Sequence, residues 1–154
     1  MYISNLIEYM KNAGFSVFPD PNFIPNTVAD HLLPACFVYG NGGYAPHEYV
    51  PTERPTFQVV VKGKSYKTNP TSMLEAEVAA KSIIKHFHRK ANYSIGNHRI
   101  FSSQAMQSNP IPLGRDEQDR PMYSVNLLFY TMEDESIPSE YGQGDIYGQG
   151  INYQ

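Results

Sequence analysis

The sequence predicts an α+β (α/β) domain built on a mixed, mainly antiparallel β-sheet with two helices packed on one face. Two segments, residues 56–62 and 122–132, alternate apolar and polar residues over strand-length runs. Two others, near residues 3–10 and 73–87, repeat apolar residues at helical spacing. A chain of 154 residues, 41% hydrophobic and 18% charged, can bury one core. The expected division is a body over residues 1–132 and a C-terminal tail over residues 133–154.

Ile3, Leu6, Ile7 and Met10 mark a short amphipathic first helix, and Gly14 stands where a left-handed cap would close it. A proline-rich passage follows, with Pro19, Pro21, Pro25 and Pro34 around two β-prone pieces at residues 15–18 and 35–39. Residues 40–55 hold three glycines and three prolines among aromatic and polar side chains, which marks an exposed excursion between two strands. The strand at residues 56–62 puts Phe57, Val59 and Val61 on one face and Thr56, Gln58 and Val60 on the other.

Asn69 and Pro70 open the main helix, as cap and first residue. Met73, Ala76, Ala80, Ile83, Ile84 and Phe87 form its apolar stripe, with acids near the start and bases near the end. Residues 92–96 read as a short extended piece and turn, and residues 98–106 as a β-prone run that pairs with the strand at 122–132. That last strand sends Tyr123, Val125, Leu127 and Phe129 one way and should be central. From Glu133 onward the apolar pattern stops, and Tyr-Gly-Gln-Gly occurs at 141–144 and again at 147–150.

The most informative stretch is residues 110–126, where a proline lead-in and a polar turn run straight into the central strand. Pro110 and Pro112 fix extended backbone, Gly114 permits a positive φ, and Arg115, Asp116, Glu117, Asp119 and Arg120 keep the turn in water. Packing alone does not require such a loop. It reads as an assembly surface, against the plainer reading of a solvated hairpin turn.

Reactive chemistry is poorly represented. No Gly-x-Ser-x-Gly elbow or His-Glu-x-x-His occurs, and Gly40-Asn-Gly-Gly43 lacks the Lys-Ser/Thr of a phosphate loop. His86 and His88 are two residues apart, so a helix would point them to different sides. Cys36 is the sole cysteine, in an apolar run, so no intrachain disulfide forms and pairing with His31 for thiol catalysis is weak. No cofactor and no metal are implied. The net charge of −3 gives no general drive toward nucleic acid. The opening residues show no basic segment followed by an apolar one, and no membrane span is expected, which suggests a reducing cytoplasm.

The strand entry Arg54-Pro-Thr-Phe-Gln-Val-Val-Val-Lys62 and the run Leu113-Gly-Arg-Asp-Glu-Gln-Asp-Arg-Pro-Met-Tyr-Ser-Val-Asn126 resemble the tail terminator proteins of long-tailed bacteriophages, often labelled minor capsid proteins. The likeness spans roughly residues 1–132. It implies a non-enzymatic virion protein at the tail-to-head junction, assembled in the bacterial host cytoplasm. Such a protein forms a homo-oligomeric ring, a hexamer in that family, on the tail tube protein, halts tube growth and presents a surface to the head connector. DNA would pass through its lumen without specific binding. The resemblance implies a subunit or ring-stacking contact at Arg54, Arg115, Asp116, Glu117, Arg120, Tyr123 and Asn126. The rival expectation is a small peptide- or ligand-binding module that uses the 40–55 loop.

Overall fold

The longest alternating run becomes the centre of the sheet. The computed structural model describes residues 1–19 and 28–134. Its elements are α1 (Ile3–Asn12), a 3-10 turn (Asp30–Leu32), β1 (Ala35–Gly40), β2 (Thr56–Lys62), α2 (Ser72–Phe87), β3 (Lys90–Ile95), β4 (His98–Ala105), β5 (Ile111–Arg115) and β6 (Pro121–Glu133). The Tyr-Gly-Gln-Gly repeats lie outside the described residues, as do Pro21 and Pro25.

The sheet runs β1-β2-β6-β4-β3, with β5 also on β6, and every strand pair is antiparallel. A parallel bridge, Val17 to Cys36, brings the segment after α1 alongside β1. β6 needs its length because it serves three neighbours. Along one side Met122–Leu128 meets β2; on the other, Pro121–Ser124 meets β5 and Leu127–Glu133 meets β4.

Side-chain alternation then decides which face is buried. Phe57, Val59 and Val61 of β2 join Tyr123, Val125, Leu127 and Phe129 of β6 in one core with Ala76, Ala80, Ile83, Ile84 and Phe87 of α2 and Leu6, Ile7 and Met10 of α1. Both helices therefore lie on the same face. α1 packs on β1 and also on β3, at opposite ends of the strand order, so the sheet curls around it. On the other face, Ala35 and Phe37 pack with Val28 and Leu33 in a smaller cluster.

α1 and α2 meet through an aromatic group. The Tyr9 hydroxyl lies 2.9 Å from His86 Nε2, Phe15 stands edge-on to His86, and Tyr9 packs on Phe87 and Tyr93. Ser103, a polar residue facing the core from β4, donates to the Phe87 carbonyl at 2.7 Å and lies 2.6 Å from the Tyr93 hydroxyl. It satisfies a helix-end acceptor that would otherwise be orphaned.

Four details differ from the sequence reading. α2 begins at Ser72, because Asn69 instead accepts from the Thr71 amide and forms a turn ahead of the helix. Met73 is exposed, and Ser72 occupies the inward position at the first turn. β3 starts at Lys90 rather than Asn92. Residues 111–115, read as a rigid lead-in, form a strand, with an irregular register between Pro112 and Gly114 that relieves the proline's missing donor.

Burial and the Lys90 charge hold His86 below its usual 6.5, and burial and the N-terminal charge do the same for His98 against the opposing pull of Glu133 and Glu53. The unfolded chain therefore takes up these protons first. Stability is expected to be intact above about pH 7.5 and to fall as pH drops through 6.5 toward the lowered native values. Thermal melts over that range check this, and His86→Gln should make the fall shallower.

Candidate assembly surface at the hairpin turn

β5 and β6 form a hairpin whose turn, residues 116–120, carries most of the charges singled out from the sequence. Asp119 at φ 59 supplies its left-handed backbone, and Gly114 at φ 87 does the same in β5 just before it. Asp116 organises the turn: its Oδ1 accepts from the amides of Gln118 at 2.8 Å and Arg120 at 3.0 Å. Its Oδ2 lies 2.7 Å from the Lys62 ammonium, whose side chain is only 2% exposed. Partial burial pushes the Asp116 carboxyl up. The hydrogen bonds from Lys62, Arg120 and Gln118, with the Lys62 charge, outweigh it and hold the group below its ordinary value of 3.8.

The expectation that all five charges stay in water is corrected here. Arg120 is 7% exposed, and its Nη2 donates to Asp30 Oδ1 at 3.0 Å, ninety residues away in sequence. Its Nε and Nη1 are buried without a partner. Asp30 also accepts from the Thr68 hydroxyl at 3.2 Å. A third pair, Lys67 with Asp119 at 3.2 Å, and two backbone bonds, Tyr66 N–H to Asp119 O and Gly63 N–H to Pro121 O, complete the junction. The turn is thus fastened to the β2–α2 connection and to the 3-10 turn. Its geometry is set from inside the subunit.

The remaining candidates divide by environment. Arg115 is exposed and stacks its guanidinium 4.4 Å from the Tyr66 ring centre. Glu117 is exposed at the tip of the turn. Tyr123 is buried on the helix side, and burial, then the Glu77 charge, pushes its hydroxyl up. Asn126 projects to the opposite face and meets Gln107 Oε1 through both its amides at 3.4 Å. Arg54 lies away from the hairpin, in the 40–55 loop, where it donates to the Ala45 carbonyl at 3.0 Å and covers Tyr44. The structure therefore brings together Arg115, Asp116, Glu117 and Arg120, and leaves Arg54 elsewhere.

Lys62, Asp30 and Tyr66 were not singled out from the sequence, though they fix the turn. Lys62 ends an apolar strand on the Val60 face, which is its only signal. Cys36 is buried and its thiol is pushed up to about 12, while His31 is exposed on the 3-10 turn. Among the described residues no group of three or more His, Cys, Asp or Glu could hold a metal, and no helix is long and apolar enough to cross a membrane. The 40–55 loop forms one wall of a polar cleft of about 590 Å³ with His98, Asn97 and Glu133 opposite.

Residues 10–131, which include the whole sheet except the last two residues of β6, match the family model described as bacteriophage tail terminator protein. The chain belongs to the bacteriophage tail terminator family. No curated protein and no solved structure matches it. Membership makes this tail terminator a structural component of the virion, one that interacts with tail and head proteins. The turn between β5 and β6 lies within the matched region.

Removing the Asp116 carboxylate would strand a buried ammonium, so Asp116→Ala is expected to cost about 3–5 kcal/mol in urea unfolding. Pairing Lys62→Met with Asp116→Leu should recover most of it. A cost under about 1 kcal/mol for Asp116→Ala would mean that Lys62 reaches water. Arg115→Glu and Glu117→Lys should each change stability by no more than about 1 kcal/mol. Because the Asp116 carboxyl is depressed, its contribution is present above the unfolded value and is lost as pH falls below about 4.

Proposed function

We propose that this tail terminator acts as a ring, hexameric in the finished tail, that seats on the last ring of the tail tube, stops its polymerisation and offers the head connector a docking surface. The observation that carries this reading is the family match over residues 10–131, joined to a hairpin turn held rigid by three intrachain ion pairs while Arg115 and Glu117 face outward. Arg115 and Glu117 make the contact with a neighbouring subunit or ring. Asp116, Arg120 and Tyr123 hold the turn in place for them, and Asn126 and Arg54 contribute from the sheet face and the loop. The body over residues 1–132 is the ring-forming unit.

Capping by a ring is a matter of geometry and interface energy. A head-to-tail contact uses two different patches on each subunit and closes when the rotation closes. Opposite charges at the rim fix orientation more than affinity, a role suited to an Arg115 and Glu117 pair on an immobile turn. The net charge of −3 suits a lumen that DNA crosses without adhering. The second reading, a peptide- or ligand-binding module, is favoured by the cleft beside the 40–55 loop, and it calls for a monomer that binds peptide.

Tube protein polymerised with this chain is expected to give tubes capped at one end and arrested in length, as seen by negative-stain microscopy. Continued growth with the protein in excess would overturn the reading. The double variant Arg115→Glu, Glu117→Arg should weaken capping while the melting temperature stays within a few degrees of the parent.

A further inference from the structure

Residues 41–56 form a built projection. Asn41 N–H donates to Thr56 O, Tyr44 N–H to Arg54 O and His47 N–H to Thr52 O, so the loop folds as two paired arms, the second held to β6 by the mutual Glu53 and Thr131 backbone bonds. Arg54 staples them through Ala45. Gly43 allows the arms to touch: a Cβ there would lie 2.4 Å from Arg54 O, and its φ is +105. At the tip His47 Nδ1 accepts from the amides of Tyr49 and Val50 at 3.1 and 3.3 Å. The tip shows water two large apolar side chains, Tyr49 at 85% and Val50 at 46% exposure, beside the exposed acid Glu48.

A second unpartnered surface lies on α2. Leu74 and Val78 are 62% and 59% exposed, and Lys81 and Lys85 continue their line at helical spacing. Lys81 is occupied by the Ser108 carbonyl and Asn109, whereas Lys85 is exposed with no partner among the described residues. The ridge therefore offers two apolar side chains and the open cation Lys85, with the exposed acid Glu77 beside Val78 within reach of Lys81. The tip offers two apolar side chains and one anion.

The two surfaces lie on different elements. The projection enters β2 at Thr56, whereas α2 begins beside Gly63 and runs back over the sheet to Phe87, which packs on Phe129. Two different patches of unlike shape and opposite charge on one subunit are what a head-to-tail contact uses. We infer that the Glu48-Tyr49-Val50 tip of one protomer docks on the Leu74, Val78 and Lys85 ridge of the next copy of this chain. The inference rests on the ring reading and names a contact within it: Tyr49 lies across Val78, and Glu48 faces Lys85.

Cross-linking tests it directly, because Cys36 is buried and adds no background. Under mild oxidation, the double variant Tyr49→Cys, Val78→Cys is expected to give a ladder of disulfide-linked multimers on tube ends or at high concentration. An equal mixture of the two single variants should stop at linked pairs, since each pair has only one cysteine from each side. Val78→Glu, an exposed change checked by an unaltered melt, should weaken assembly at least about tenfold. Glu48→Lys should weaken it less, and adding Lys85→Glu should restore it. No ladder from the double variant, with a parent that still assembles into rings, overturns the tip-to-ridge contact and leaves the ring reading standing. A parent that stays monomeric even with tube ends present overturns both.

Discussion

The register of β6 is the constraint on which the rest of the structure depends. One strand edge is committed to β2 from Met122 to Leu128, and the other is divided between β5 and β4. Side chains on a strand alternate with a period of two, so a slip of one residue would turn Tyr123, Val125, Leu127 and Phe129 out of the core. It would also carry the hairpin turn past Lys62. The same pairing that builds the core thus brings Asp116 within 2.7 Å of the buried ammonium.

That ion pair has a consequence beyond stability. Burying a cation is costly unless it is paired and hydrogen-bonded, and a hydrophobic pair of similar volume would often serve stability as well. What the pair adds is position, because Asp116 also accepts from two turn amides and so ties backbone conformation to the far end of β2. Arg120 does the same toward the 3-10 turn through Asp30. Charge on this turn is thereby sorted into groups that hold the turn and groups that face outward.

The elements were legible in the sequence where a local period dominates. The alternation of β2 and β6, the helical stripe ending at Phe87, and the excursion at 40–55 all express contacts on one face of one element. The start of α2 is not legible because Asn69 has two capping options, the helix or the preceding turn, and only packing chooses between them. The burial of Arg120 is hidden because nothing within a turn-length window announces Asp30. Periodicity tells which way a side chain points, but a buried ion pair depends on what arrives from elsewhere in the chain. The same limit hid Lys62, whose neighbours in sequence are valines.

Arg54 and Arg120 show that a charge prominent in the sequence can be employed within the subunit. Arg54 donates to the Ala45 carbonyl and Arg120 to Asp30. A guanidinium is suited to this work, since its planar fork can fix two segments at once. Exposed apolar side chains have no comparable internal use. Tyr49 at the loop tip, which meets only the edge of His47 among the ring contacts of the described residues, and Leu74 and Val78 on α2 leave most of their side chains in water. Exposed apolar side chains without an internal use are therefore the natural places to seek a contact with another chain, because covering them costs no existing hydrogen bond.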